Sequence, residues 1–134
     1  MACGKDDLLT IRQMCGQYEV TPRTLRFYEA QELLAPVRRG TARFYTYRDR
    51  ARLKLILRGK RFGFSLEDIR QLLEMYDRDT GQQEAQLSRT YAMAKERLAQ
   101  MERQRADLDD AIAELKDEMA WGANALAAMR NAAV

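Results

Sequence analysis

In the second half of the chain, one series of positions recurs at alternating intervals of four and three. It runs Leu87, Tyr91, Ala94, Leu98, Met101, Arg105, Leu108, Ile112, Leu115 and Met119, apolar but for one arginine. That spacing lays a single stripe along one long amphipathic helix, expected over residues 81–120, with the 3.5-residue period of a coiled-coil seam. Sustained from Leu87 to Met119, the stripe covers about 50 Å at roughly 1.5 Å per residue. A seam of this length needs another helix to cover it, because the front half is too small to do so. We therefore assign these ten residues to dimerisation, with a second copy of the chain as partner.

The first half carries shorter patterns with their own start signals. Thr10 with Gln13, Thr46 with Asp49, Ser65 with Asp68 and Thr80 with Gln83 each place an acceptor three residues before a side chain able to reach back. Thr21-Pro22 gives a fifth start. Helices are thus expected at about 10–18, 21–31, 46–60 and 65–76, ahead of the long one. The first two lie at the spacing of a helix-turn-helix, with Ile11, Met14, Val20 and Leu25 as their shared core. Leu53, Ile56 and Leu57 form the inward stripe of the third, and Leu66, Ile69, Leu72 and Leu73 that of the fourth. Pro36–Tyr45 has no helical period and reads as two short strands around a Gly40 turn, a wing. The fold class is mainly α, with a winged helix-turn-helix domain over residues 8–78 and a dimerisation helix over 79–120. The tail, 121–134, is apolar enough for a short helix after Gly122, packing at the dimer end or lining a small pocket there.

Thr21-Pro22-Arg23-Thr24-Leu25-Arg26-Phe27-Tyr28-Glu29 is the most informative local segment. The cap fixes where the helix begins, so Arg23, Arg26 and Tyr28 are expected to project outward with Thr24 beside them, while Leu25 faces in. Guanidinium, hydroxyl and phenol donors suit phosphate oxygens and base edges in a major groove, which makes this a DNA-recognition helix. Arg38, Arg39 and Arg43 load the wing beside it, and Lys60-Arg61 begins a second basic loop whose aromatics, Phe62 and Phe64, are expected in the core. The candidate DNA contacts are Thr21, Arg23, Thr24, Arg26, Phe27 and Tyr28 on the helix. Arg38, Arg39, Arg43 and Tyr45 join them from the wing, and Lys60 and Arg61 from the second loop. Charge agrees: residues 12–61 hold 13 Lys/Arg against 4 Asp/Glu, a net +9, whereas residues 82–134 hold 7 against 9, a net −2. One half is built to meet a polyanion and the other is not.

Other chemistry is poorly supplied. There is no histidine in the chain, which removes the commonest general base and metal ligand. No nucleophile, phosphate-loop or cofactor motif takes its place, so the chain is read as a non-enzyme without a metal or cofactor. Cys3 and Cys15 are too few and too far apart for a metal or iron–sulfur motif, and Cys15 shares the buried face of Ile11 and Met14. No run is apolar enough to cross a membrane, and Met1–Asp7 lacks the apolar stretch of a secretion signal, so a cytoplasmic protein is expected.

Together these residues resemble the MerR family of bacterial transcription regulators. The matching segments are Thr10-Ile11, Thr24-Leu25-Arg26-Phe27-Tyr28-Glu29, Leu33-Leu34 before Pro36, and Arg43-Phe44-Tyr45. They continue with Asp49 and Gly63-Phe64-Ser65-Leu66-Glu67-Asp68-Ile69. The resemblance implies a winged domain with a second wing and an antiparallel dimer helix. It also implies an operator between promoter elements set unusually far apart, which the dimer twists or bends so that RNA polymerase engages both. Arg52–Arg61 resembles the branch controlling branched-chain amino-acid and acyl catabolism. Metal- and redox-sensing members carry cysteines around or after the dimer helix, and this chain has none beyond Cys15. Glu19 and Glu32 stand where the family often has glycine, and those turns are expected to be remodelled so as to avoid positive φ. An architectural or excisionase-type DNA-bending protein is the alternative within the same fold. A coiled-coil adaptor would leave the two basic loops unexplained.

Overall fold

The computed structural model describes residues 7–77 and 83–133, without the side chains of Asp77 and Gln83. Cys3 and the Thr80 cap lie outside the described residues. The chain forms two compact units, Met1–Met93 and Ala94–Val134.

In the first unit the order is β1 (Leu9–Thr10), α1 (Ile11–Tyr18), α2 (Pro22–Ala30), β2 (Val37–Arg39), β3 (Ala42–Tyr45), α3 (Tyr47–Phe62) and α4 (Leu66–Asp77). The caps read from sequence set the helix starts. Thr10 Oγ1 accepts from Gln13 N at 3.2 Å while Gln13 Oε1 accepts from Thr10 N at 2.8 Å. Thr46 with Asp49 and Ser65 with Asp68 close the same two-way box, satisfying amides that would otherwise be orphaned. Gly63 ends α3 at φ 81°, a conformation that suits a residue without Cβ.

The wing forms as expected, with β2 and β3 antiparallel and Arg38 opposite Arg43. A third strand is not legible in the sequence: β1 pairs with β3, Leu9 opposite Tyr45, giving the order β1-β3-β2. Two residues are too short to show a period. Leu9, Met14, Leu25, Tyr28, Leu33, Leu34, Tyr45, Leu53, Ile56, Ile69 and Leu73 make the core, with Ile11, Cys15, Val20, Leu57 and Phe64 packed against it. Leu66 is exposed, because it opens the first turn of α4 rather than lying on its inner stripe. Phe62 is also exposed, in place of the expected core position; it meets Phe64 edge-on at 6.2 Å.

Several charged residues hold the fold instead of facing outward. Asp49, 3 % exposed, accepts from Ala35 N at 3.0 Å and from Thr46 N and Oγ1 at 3.2 Å, tying the approach to the wing to the start of α3. Arg52 Nε donates to Leu33 O at 2.8 Å, and Arg50 Nη2 to Asp7 O at 3.2 Å. The net +9 of the front half therefore overstates the charge available to a polyanion.

Glu19 and Glu32 sit at φ 54° and 59°. The turns are not remodelled: they keep the left-handed conformation and place glutamate in it, a strain of about 1–2 kcal/mol each. Around each, backbone hydrogen bonds dictate the path: Val20 N donates to Cys15 O, and Leu33 N to Tyr28 O.

The last helix, α5 (Gln83–Ala132), begins in the first unit, where Thr90 Oγ1 lies 3.4 Å from Met75 Sδ of α4. It supplies residues 94–132 of the second unit. Gly122 does not interrupt it, contrary to the short separate tail helix expected. An interior glycine costs a helix only about 1 kcal/mol, and the alanine, leucine and methionine around it offset that. Every residue from Met101 to Trp121 is exposed, including the seam residues Leu108 at 60 % and Leu115 at 61 %.

Candidate nucleic-acid interface

Helix α2 begins as its cap dictates. Thr21 Oγ1 accepts from Thr24 N at 3.1 Å and lies 2.9 Å from Thr24 Oγ1, and Pro22 occupies the first turn. Thr21 is thereby committed to the helix end. From that fixed start Arg23 and Arg26 are exposed, and neither makes a hydrogen bond or ion pair with the described residues. Thr24 is half-buried, and Phe27 is 46 % exposed beside them.

Tyr28 and Tyr45 depart from the expectation. Leu25 and Tyr28 are three residues apart and so share the inner face of α2; Tyr28 is 3 % exposed, and burial pushes its hydroxyl pKa up. Tyr45 is fully buried because strand alternation turns it inward opposite Leu9. Its hydroxyl has no hydrogen-bond partner among the described residues, and burial, then the Glu29 charge, raise its pKa. Tyr45 is thus closed off from the surface, and Tyr28 reaches it only as part of a groove floor.

A groove of about 410 Å³ separates α2 from the α3–α4 junction and brings several candidates together. Arg23, Thr24 and Phe27 line one side and Lys60 and Phe64 the other, over a floor that includes Tyr28 and Ile69. Lys60 and Arg61 are exposed at the end of α3. Close packing sets their position: a Cβ on Gly59 would stand 2.9 Å from Ile69 Cγ1 of α4.

The wing arginines are organised by a residue absent from the sequence-based candidates. Glu29, near the end of α2, accepts from Arg38 Nε at 3.1 Å and Nη2 at 2.7 Å through Oε1, and from Arg43 Nε at 2.6 Å through Oε2. Partial burial pushes the Glu29 carboxyl upward, but the two guanidinium groups outweigh it and hold it below its ordinary value. Arg39 lies over the Phe44 ring at 5.5 Å. The available signal for Glu29 is a lone carboxylate in the otherwise basic recognition segment, a position that only a tertiary contact explains.

Among the described residues the resulting surface carries uncommitted guanidinium and ammonium groups on α2 and α3, beside the wing arginines held by Glu29 and Phe44, with aromatic and hydroxyl neighbours. It suits phosphate oxygens and base edges. Among the described residues no cluster of His, Cys, Asp and Glu could hold a metal ion, and no helix is long and apolar enough to cross a membrane.

Comparison with known proteins agrees with this geometry. The family model described as MerR HTH family regulatory protein matches residues 9–76, and that described as MerR, DNA binding matches residues 50–117. The transcriptional regulator ZntR of Escherichia coli K12 is 43 % identical over 67 residues, which cover 48 % of this chain and 48 % of that protein. HmrR of Sinorhizobium medicae, also a transcriptional regulator, is 32 % identical over 99 residues, covering 72 % and 65 %. The chain thus spans about half to two thirds of the length of these curated relatives. Among solved structures, HiNmlR, described as a MerR family regulator lacking the sensor domain and bound to promoter DNA, superposes with a TM-score of 0.61. It is 28 % identical and covers 77 % of this chain and 80 % of its own.

Proposed function

The chain belongs to the MerR family of DNA-binding transcriptional regulators, and from that premise we propose that it works as a homodimer on an inverted-repeat operator within a promoter spacer. Each copy inserts α2 into a major groove, where Arg23 and Arg26 read base edges and phosphates. The wing, with Arg38, Arg39 and Arg43, and the second loop, with Lys60 and Arg61, grip backbone on either side. The observation that carries this reading is the capped α2, which presents two uncommitted arginines beside a groove whose far wall ends in Lys60.

The dimer forms through the Leu87–Met119 seam as an antiparallel coiled coil, and the exposure of Leu98, Leu108 and Leu115 supports it, since such a stripe is stable only when covered. The operator centre, touched by no side chain, is twisted or bent so that RNA polymerase engages both promoter elements. The protein acts in the cytoplasm, and Arg52–Arg61 makes promoters of branched-chain and acyl catabolism the first to examine.

The test is to remove one or two base pairs from the promoter spacer and measure transcription with and without protein. The proposal expects the protein to become dispensable or inhibitory on the shortened promoter. Unchanged protein-dependent activation there would reject spacer distortion and leave simple recruitment.

A further inference from the structure

We infer that Glu29 is the positioning residue that aims the wing at DNA and sets the preference for cognate over random sequence, a role that rests on the DNA-binding reading above. Arg38 and Arg43 are cross-strand partners on β2 and β3. Directly opposed residues project from the same face, and like charges so placed repel. Glu29, only 18 % exposed, stands between them and gives each arginine its own carboxylate oxygen. It does so from α2, so one side chain ties the recognition helix to both strands of the wing.

The geometry around the carboxylate shows what is left for DNA. Glu29 takes Arg38 along its Nε–Nη2 edge and Arg43 at Nε alone. Both Nη groups of Arg43 and Nη1 of Arg38 make no hydrogen bond with the described residues. A guanidinium held by its Nε side keeps a planar, directed end for an anion. The side-chain freedom that a phosphate contact would otherwise have to remove is removed in advance. The same carboxylate places a negative charge on the DNA-facing side, which lowers attraction to any duplex regardless of sequence. Glu29 thus trades unspecific affinity for orientation.

Glu29→Gln keeps the shape and removes the charge. The probes are a duplex enriched by the wild-type full chain from a random library and a scrambled duplex of equal length and composition, each titrated across a salt series. The variant is expected to bind the enriched duplex about tenfold more weakly. It should bind the scrambled one at least as tightly as wild type, with a salt slope steeper by up to about 1 for each additional phosphate neutralised. A role confined to stability would weaken both duplexes together and leave the slope unchanged, and that result overturns the inference. Arg43→Lys, which keeps the charge but loses the Nε donor, covers the case in which Glu29→Gln melts early. It should lose preference for the enriched duplex without losing affinity for the scrambled one, and an unchanged preference in the folded variant also overturns the inference. A wild-type chain that enriches no duplex from the library rejects the DNA-binding reading itself. One that discriminates equally with and without Glu29 rejects only the role of Glu29.

Discussion

Replacing Gly59 by alanine sets helix propensity against packing at a single position. The added Cβ would lie 2.9 Å from Ile69 Cγ1, 3.4 Å from Ile69 Cδ1 and 3.7 Å from Phe64 Cδ2. Ile69 is 2 % exposed and packed in the core, so it cannot simply swing into solvent. Alanine in a helix interior is favoured over glycine by about 1 kcal/mol, whereas forcing an extra carbon into a filled site costs about 1–3 kcal/mol. The expected net effect is a loss of about 0–2 kcal/mol. In an Ile69→Ala background, itself about 2–5 kcal/mol less stable, the obstructing carbons are gone. There Gly59→Ala should stabilise by up to about 1 kcal/mol, a coupling of about 1–3 kcal/mol between the two sites. Urea unfolding of all four proteins, at one protein concentration and with slopes compared, measures this directly. Because Lys60 and Arg61 follow Gly59 at the end of α3, Gly59→Ala should also weaken DNA binding. Should Gly59→Ala raise stability equally in both backgrounds, the close approach of α3 to α4 does not restrain this position, and the packing explanation is refuted.

Arg26→Ala should cost about 1–3 kcal/mol on the enriched duplex alone, while Lys60→Ala should weaken all duplexes and flatten the salt slope by about 1; competition binding at several salt concentrations separates the two patterns. Tyr45→Phe removes a buried hydroxyl with no hydrogen-bond partner among the described residues, so it should leave the melting temperature level or higher and DNA affinity unchanged. Glu19→Gly relieves the left-handed strain at φ 54° but loosens the unfolded chain, and chemical denaturation should show a net gain of about 0.5–1 kcal/mol. The Glu29 carboxyl lies below its ordinary value of 4.5, so its contribution is fully present above that value and is lost as pH falls through the lower folded-state value; wild type minus Glu29→Gln stability should stay flat from pH 6 to 8 and shrink only in acid.

What the sequence makes legible is whatever local chemistry decides. The boxes at Thr10, Thr46 and Ser65 close as expected, and the wing forms around Gly40, because those contacts span only three to seven residues. Expectation and structure part where the deciding partner is distant in sequence. Tyr45 turns inward because β1 pairs with β3, whereas Tyr28 is an exception: its three-residue spacing from Leu25 already places it on the inner face of α2, against the outward position expected from its phenol. Arg50 and Arg52 count as free charge in the sequence, whereas the Asp7 and Leu33 carbonyls take them in the fold. Glu29 stands out locally only as a lone carboxylate among basic residues, and its role is not legible because it depends on two arginines nine and fourteen residues away. Glu19 and Glu32 differ for another reason: local preference argues against positive φ, and the hydrogen bonds of the surrounding turn override it.

Selection of bound duplexes from a random library, followed by native mass measurement of the complex, tests the central claim most directly. Two copies of the chain joined through their seams impose two-fold symmetry on what they bind. The account predicts an enriched inverted repeat, one recognition helix to each half, with two chains per duplex. Enrichment of a single asymmetric half-site carrying one chain, or no enrichment at all, would contradict it.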